Sequence, residues 1–436
     1  MAESVLPSPP AAAGGEGRPH ERAGLLRPLR RRDFRLLVAG QTTSTLGDFL
    51  FIVAFPFLLL DGRAGVGGLG LALTLLGVTR VAGTLVGGLI ADRRPARSVM
   101  IGTDATRAAV LGWLAYSLAT GSPPLWDYLV AATVIGLLEG LFLPAYRAVT
   151  PAVLPRDELA AGNSAGEALN VVAAITGQLV AGVVMSAFGA VTVVATDAAT
   201  FLVSTATLLA MAARPDASER APASDAPASG AAPLASAGQT APAARFRDFA
   251  LRSRLYLIIT LMTGMVSMTA AGLFAVGLPV LADQRFTAGA EAYGILLVGI
   301  AVGRLAGSLL AGRLADARRR GRLTIGLLVI HGAVLTDLPA WHHLGILLPA
   351  LTVLGFADGT LLVLVVTVVQ QLAPRELLGR AMAAITFMQT GSFPVSVALA
   401  GLVVGHWGLA AAFAAGGIGV LAVAAFGAGQ RVLRDA

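Results

Sequence analysis

Charged side chains interrupt the long apolar stretches of this 436-residue sequence, and their types point to proton chemistry. Asp48, Arg80 and Glu139 each lie well inside an apolar run. A charge at the centre of a bilayer costs about 2.5–3.5 kcal/mol on insertion scales, so each needs a partner or a task. A carboxyl group changes its affinity for a proton when an arginine approaches or leaves it. We therefore interpret these residues as one coupled proton-binding cluster, with static ion pairs that fix helix packing as the alternative.

The arginine belongs to a segment that occurs twice. Residues 77–92, GVTRVAGTLVGGLIAD, match residues 301–316, AVGRLAGSLLAGRLAD, at 8 of 16 positions. The arginine and the final aspartate of the first copy recur 224 residues later as Arg304 and Asp316. The sequence therefore predicts a duplicated unit, in which Arg304 pairs with an acid as its counterpart does.

The acidic residues of the two copies match only in part. GLLEG, which contains Glu139, is repeated as GFADG, which contains Asp358. Counting 1.5 Å per residue places these buried charges roughly 13–18 Å from the arginine-rich ends of their helices. The position that corresponds to Asp48 in the second copy is occupied, in contrast, by Ala271. This asymmetry favours the first half as the carrier of a coupling proton, and His331, inside another apolar run, is a weaker candidate carrier.

Composition excludes several classes of protein. Apolar residues make up 56% of the chain and charged residues 13%, which points to lipid as the main solvent. The absence of cysteine excludes disulfides and thiolate metal sites, and the histidines show no metal-ligand spacing. Without lysine there is no complete Walker A motif, so no built-in ATPase is expected. The net charge of +7 comes from arginines that flank apolar runs, so no nucleic-acid partner is predicted.

Twelve apolar runs are each long enough to cross about 30 Å of hydrocarbon as a helix. The whole chain divides into four predicted regions: a disordered cytoplasmic N-terminus (1–30), a six-helix bundle (31–213), a flexible Ala/Pro/Ser-rich cytoplasmic linker (214–250) and a second six-helix bundle with a short tail (251–436). The predicted spans are 36–60, 69–90, 99–119, 127–147, 160–187, 190–212, 255–281, 292–314, 323–341, 344–370, 377–404 and 408–430.

Arginine placement predicts the orientation. One side of the membrane receives the arginines before the first span, those near residue 94, the linker arginines, the run at 318–322 and those of the C-terminal tail. The other side receives only Arg63 and Arg285. The positive-inside rule therefore puts both termini in the cytoplasm. Glycines repeated every four residues, Gly83 and Gly87 in one half and Gly299 and Gly303 in the other, predict close helix approach.

Three segments carry a family resemblance. GLIADRRPAR at residues 88–97 resembles the loop signature of the major facilitator superfamily, with GRLADARRRGR at 312–322 as its degenerate copy. RRDFRLLVAGQTTSTLGD at 31–48 and PAYRAVTPAVLPRDELAAGNS at 144–164 resemble the macrolide-efflux and siderophore-export branch. The resemblance covers roughly residues 28–430. It implies an all-α membrane protein with twelve transmembrane helices in two six-helix bundles around a central cavity.

The resemblance also implies roles for particular residues. The loop signature implies a cytoplasmic gate, with topogenic charge at a helix end as the alternative. Spans one, four, seven and ten line the cavity in the superfamily, which implies cavity positions for Asp48, Glu139 and Asp358. The gate residues would be Gly88, Asp92, Arg93 and Arg97, the second-copy Asp316, and Asp104 with Arg107 one turn apart on span three. The substrate contacts on span seven would be Thr260, Met262, Thr263, Met265, Ser267 and Met268, unless these residues only fill helix contacts.

The function that these features favour is non-enzymatic. We expect a monomeric secondary transporter of the cell membrane that exports amphipathic small molecules, such as drugs or secondary metabolites, by proton antiport and alternating access. The proton-motive force would supply the energy, without a cofactor or a metal. An importer of a small nutrient and a non-transporting membrane sensor or assembly protein are the alternatives.

Overall fold

The structure, a computed structural model, describes residues 27–60, 64–91, 94–155, 158–212, 240–314, 320–374 and 376–434. No strand occurs within these ranges, in agreement with the predicted all-helical fold. The predicted disordered N-terminus and linker lie largely outside the described residues. The helices are α1 (Arg32–Leu60), α2 (Gly65–Ala91), α3 (Ala96–Thr120), α4 (Leu125–Val153), α5 (Leu159–Ala210), α6 (Thr240–Arg252), α7 (Arg254–Gly272), α8 (Leu278–Arg285), α9 (Gly289–Leu314), α10 (Arg320–Asp337), α11 (Leu344–Leu372), α12 (Leu378–Gly429) and α13 (Arg431–Arg434).

Two of these helices are each broken by one glycine. α5 and α12 have 52 residues each, which at 1.5 Å per residue would be about twice the thickness of a bilayer. Gly189 in α5 has φ 79° and Gly408 in α12 has φ 84°, a backbone conformation that glycine adopts without steric cost. Each long helix therefore consists of two arms.

Contacts with neighbouring helices show that the chain reverses at each break. Gly47 of α1 faces Asp197 and Thr200 in the second arm of α5, and Leu46 beside it contacts Gly177 in the first arm. Both arms therefore lie against the same part of α1. In α12, Ser396 in the first arm contacts Gly272, and Gly416 in the second arm contacts Leu273. Both arms of α12 therefore also lie against one part of the chain.

The described residues contain nine helices that are long and apolar enough to span a membrane. Two of these are the broken helices, so counting their arms separately gives eleven segments, and the 25-residue α3 packs between α4 and α5 as a twelfth. α7 and α8 form one span, joined by a π-helical turn at Leu273–Gly277. Pro279 lies directly after this turn, and its missing N–H removes one α-helical hydrogen bond from the span.

The two halves use the same packing pattern. In the first half α1 packs on α5, α2 on α4 and α3 on α5. In the second half α7 packs on α12, α9 on α11 and α10 on α12. The halves meet where α2 contacts α12 and where α5 contacts α9.

Glycines set the distance between α2 and α4. A Cβ atom on Gly83 would collide with the backbone carbonyl of Leu137, and one on Gly140 would lie 2.6 Å from the backbone nitrogen of Thr84. The same arrangement recurs in the second half, where Gly303 faces the backbone of Thr352. Small residues of this kind let helix backbones touch in lipid, where the hydrophobic effect does not drive helices together.

A polar cluster holds the N-terminal segment at the end of the bundle where α1 begins. Glu158, just before α5, accepts hydrogen bonds from Arg31 Nε at 2.8 Å and Arg31 Nη2 at 3.2 Å. Arg27 lies 3.4 Å from the same carboxylate. These hydrogen bonds, with the attraction of both guanidinium groups, lower the pKa of Glu158 below its ordinary value.

Gly140→Ala should destabilise the protein by about 1–3 kcal/mol, because the added methyl group has no room between two backbones. Thermal melting of the purified protein in detergent measures this. Gly112→Ala in α3 is the matched control, since nothing lies within 4 Å of a Cβ at that position. Equal melting temperatures for the two variants would contradict the packing argument.

The Glu158 cluster should contribute to stability in a pH-dependent way. A carboxyl group whose pKa is lowered by folding stabilises the native state above its unfolded pKa, and the contribution is lost as the pH falls through the folded value. Wild type should therefore melt higher than Glu158→Gln at pH 7. The difference should shrink as the pH is lowered past the ordinary glutamate value of 4.5. A difference that stays constant over this range would contradict the ion-pair assignment.

Candidate functional site

The first pair of predicted site residues forms an ion pair. Arg80 Nη2 on α2 lies 2.9 Å from Glu139 Oε1 on α4, and the two side chains are 42% and 35% exposed. The glycine contacts between these helices bring the two side chains within reach, because Gly140, next to Glu139, lies directly against the backbone of Arg80. A partly exposed pair of opposite charges can separate when the helices move, since water can solvate the released groups.

Asp48 on α1 is partly exposed, and within the described residues it makes no ion pair shorter than 4.0 Å. Gly47 beside it lies against the carboxyl group of Asp197 on α5. The other charged groups near enough to act on it through space are Arg107, Glu139, Asp104 and Arg80.

Three carboxyl groups and one arginine therefore share the interior of the first half. We name Asp48, Asp104, Asp197 and Arg107 the inner acid cluster. Asp104 and Asp197 are almost completely buried, and Ser204 donates a 2.7 Å hydrogen bond to Asp104. With all groups ionised the cluster would carry three negative charges and one positive charge, an excess of two negative charges.

Arg107 is flanked by two aromatic rings. Its guanidinium carbon lies 5.4 Å from the ring centre of Phe142 and 5.1 Å from that of Phe201. Within the described residues its Nε and Nη2 atoms have no hydrogen-bond acceptor. The side chain is 3% exposed, so its charge is balanced by electrostatic attraction and cation–π contact instead of water.

Asp104 and Arg107 lie on α3, as predicted for span three, and their role in a gate stays a prediction. Asp104 and Arg107 lie in the interior of the half, because α3 carries them about two turns and three turns beyond its start. Asp197 is a functional candidate that the sequence analysis missed, although an acid inside the apolar run VVATDAATF was a usable signal. The sequence could not show that this acid faces α1.

Arg97 at the start of α3 and Arg320 and Arg322 at the start of α10 lie at one end of the bundle, which we name the arginine-rich end. Arg97 donates hydrogen bonds to the backbone oxygens of Leu208 at 2.9 Å and Leu209 at 3.1 Å. It therefore ties the start of α3 to the end of α5 in the same half. Gly88 belongs to the last turn of α2, and Asp92, Arg93 and Asp316 lie outside the described residues.

The second half contains a cavity of about 300 Å³. It lies among α7, the π-helical turn, α9, α10, α11 and the first arm of α12, and it reaches Arg320 at the arginine-rich end. Among the predicted substrate contacts Met262, Thr263 and Ser267 line it. Met265 is half-exposed on another side of α7 and does not line it, nor do Thr260 and Met268.

An acid–histidine pair lies in the wall of this cavity. His331 Nδ1 on α10 is 3.4 Å from Asp358 Oδ1 on α11, and the imidazole is 1% exposed. Arg304 on α9 also lines the cavity and attracts Asp358 electrostatically, but it makes no ion pair within 4.0 Å in the described part of the chain. The predicted Arg304–Asp358 pair is thus replaced by a His331–Asp358 pair.

The halves approach each other closely at the end opposite to the arginine-rich end. Gly70 of α2 lies against Gly401 of α12, with a Cβ on Gly70 only 3.1 Å from the Cα of Gly401. Gly182 of α5 packs on the backbone of Glu291 at the start of α9. Phe57 and Tyr293 add an aromatic contact with ring centres 6.0 Å apart. This end of the bundle is closed.

Comparisons with known proteins agree with this architecture. The Major Facilitator Superfamily matches residues 37–396 and 263–431. The chain is 27% identical over 355 residues to a protein named enterobactin exporter EntS from Shigella boydii serotype 18, covering 80% of this chain and 79% of the relative. Citrobacter koseri has a protein of the same name with the same identity and coverage.

Solved structures share the fold at low sequence identity. The crystal structure of nucleoside transporter NupG superposes with a TM-score of 0.71 at 11% identity, over 91% of this chain and 98% of that chain. A bacterial homologue of the human lysosomal transporter Spinster, described as inward-facing and unoccupied, gives a TM-score of 0.65 at 13% identity, over 96% of each chain. The chain belongs to the Major Facilitator Superfamily and is a multi-pass secondary transporter of that family.

Proposed function

We propose that this transporter exports an amphipathic small molecule, such as a drug or a secondary metabolite, across the cell membrane by proton antiport and alternating access. The observation that carries this proposal is the Arg80–Glu139 ion pair in the same half as the inner acid cluster. Titratable groups in one half and a largely apolar cavity in the other are the two parts that a proton-driven exporter of such molecules needs.

The direction of transport is supported by the relatives found through sequence. These relatives are enterobactin exporters, and the similarity extends over about four fifths of both chains. The solved structures of the same fold include a D-xylose–proton symporter, but at 13% identity the likeness carries information on the fold alone. Enterobactin itself is named only for the relatives.

The proposed orientation follows from the arginines, and the proposed conformation follows from the contacts between the halves. The positive-inside rule puts the arginine-rich end and both termini in the cytoplasm. The cavity would then be accessible from the cytoplasm, and the contacts of Gly70 with Gly401 and of Gly182 with Glu291 would close the outer end. An exporter loads its substrate in this inward-open state.

The loop after α2 would act when this state converts to the outward-open one. In that conversion the arginine-rich ends of the halves approach, and Asp92, Arg93 and Arg97 with Gly88 would fasten them, with Asp316 in the second copy. Arg97 already anchors α3 to the end of α5. Any movement of the loop would therefore be transmitted to the second arm of α5, on which Asp197 lies.

Proton coupling would follow from the competition of acids for two arginines. When Glu139 releases its proton it pairs with Arg80, as observed. When Glu139 is protonated the pair weakens, and Arg80 becomes available to the other acids that attract it, among them Asp48. Arg107 would hold the charge balance of the inner acid cluster through the cycle.

A drug-accumulation assay in cells lacking the gene tests the proposal. Cells that regain the wild-type gene should accumulate less of some compounds from a panel of amphipathic antibiotics and dyes, and a protonophore should remove the difference. Glu139→Gln cannot bind and release a proton, so its protonophore-sensitive export should be lost at normal protein abundance. Asp283→Asn, an exposed acid outside the interior, is the matched control and should export normally.

Two results would overturn the proposal. Higher accumulation in cells that carry the wild-type gene would indicate import. Export that persists with full sensitivity to the protonophore in Glu139→Gln would remove Glu139 from the coupling mechanism.

A further inference from the structure

The cavity of the second half carries a net positive charge. Its charged wall residues are Arg304, Arg320 and Asp358, and His331 adds a second titratable group. With His331 neutral the wall therefore carries one positive charge in excess, and with His331 protonated it carries two. The inner acid cluster of the first half has the opposite sign, so the two halves differ in what their interiors attract.

Comparison of the duplicated helices shows why Arg304 has no acid at ion-pair distance among the described residues. Its counterpart Arg80 is neutralised by Glu139 at 2.9 Å. In the second half the equivalent acid is Asp358, but its carboxylate lies against His331. His331 is 224 residues after Arg107, the same offset that separates the two arginines. Because this histidine pairs with Asp358, Arg304 remains partly exposed in the cavity wall.

The rest of the wall fits a ligand with a large apolar part. Apolar side chains of two helices line the cavity: Ile259, Met262 and Val266 on α7, and Leu361 and Val365 on α11. A volume of about 300 Å³ lies at the lower limit of the range for small-molecule sites, which are mostly apolar with a few placed polar groups. Thr263, Ser267 and Gln389 supply neutral hydrogen-bonding groups in the same wall.

We propose that this cavity binds an amphipathic organic anion, whose acidic group is held by Arg304 while its apolar part lies between α7 and α11. The inference rests on the proposed function only in taking the cavity as the substrate site. A guanidinium group presents several N–H donors in one plane, which matches the oxygens of a carboxylate, sulfonate or phosphate. The pairing of Asp358 with His331 keeps the nearby carboxylate from occupying Arg304.

A pair of probes that differ in charge tests the proposal on the full-length protein in phosphatidylcholine nanodiscs. The anion is 1-anilinonaphthalene-8-sulfonate, and N-phenyl-1-naphthylamine is its neutral analogue with the same ring system. After subtraction of the signal from empty nanodiscs, wild type should bind the sulfonate more tightly than the analogue. Equal affinity for both probes in wild type overturns the proposal without any variant.

Variants assign the preference to one side chain. Arg304→Gln should weaken sulfonate binding at least about tenfold, the effect of losing a hydrogen bond to a charged group, and leave the neutral probe unaffected. Arg304→Lys keeps the charge and should retain part of the preference. Arg147→Gln, an exposed arginine outside the cavity wall, is the matched control and should bind like wild type. Full sulfonate preference in a folded Arg304→Gln protein overturns the proposal.

The lipid composition distinguishes two sources of the anion. If phosphatidylglycerol in the nanodisc weakens sulfonate binding to wild type but not to Arg304→Gln, the site takes an anionic lipid headgroup. If it has no effect, the site takes a soluble amphipathic anion. Either result supports an anion site at Arg304. Because binding is measured without a pH gradient, a failure of proton coupling in Glu139→Gln would leave this test intact.

Discussion

The need to neutralise charge inside a lipid-surrounded bundle determines most of the arrangement described above. An isolated charge in this environment is costly, and several of these charges are balanced in different ways. Arg80 has an acid at ion-pair distance, and Arg107 has two aromatic rings. Asp358 has an imidazole. The Arg80–Glu139 pair also depends on the close approach of two backbones at Gly140, which brings the two side chains within reach of each other.

The two halves have diverged in charge while keeping the same packing. The helix pairs α2–α4 and α9–α11 place an arginine opposite an acid in both halves. In the second half an alanine of α7 stands in place of Asp48 and Leu328 of α10 stands in place of Asp104, while His331 replaces Arg107, so this half loses more negative than positive charge. A duplicated scaffold thus presents an acidic interior on one side and a cationic cavity on the other. Two sites of opposite sign can respond to different ligands while the same rigid bundles move.

The sequence was sufficient for the helical architecture and the family. Depth follows from counting residues along a helix, and this is why Arg80 and Glu139 could be matched. Which side chains meet depends on the rotation of each helix and on which helices are neighbours, and neither is contained in a count. Asp197 was missed for this reason, and the gate role of Asp104 and Arg107 on span three stays a prediction. The pairing of His331 with Asp358 required the orientation of α10, which a single sequence does not determine.

The glycine breaks in α5 and α12 have a mechanical consequence. Each break joins an arm that touches the other half, through Gly182 in α5 or Gly401 in α12, to an arm that packs inside its own half, against α3 or α10. The connection is a single residue with no intervening loop that could absorb a displacement. A rotation imposed at the contact between halves would be passed through the hairpin to the helices that carry Asp104 and His331. Each hairpin would then transmit the opening of the bundle to the surroundings of its buried titratable groups.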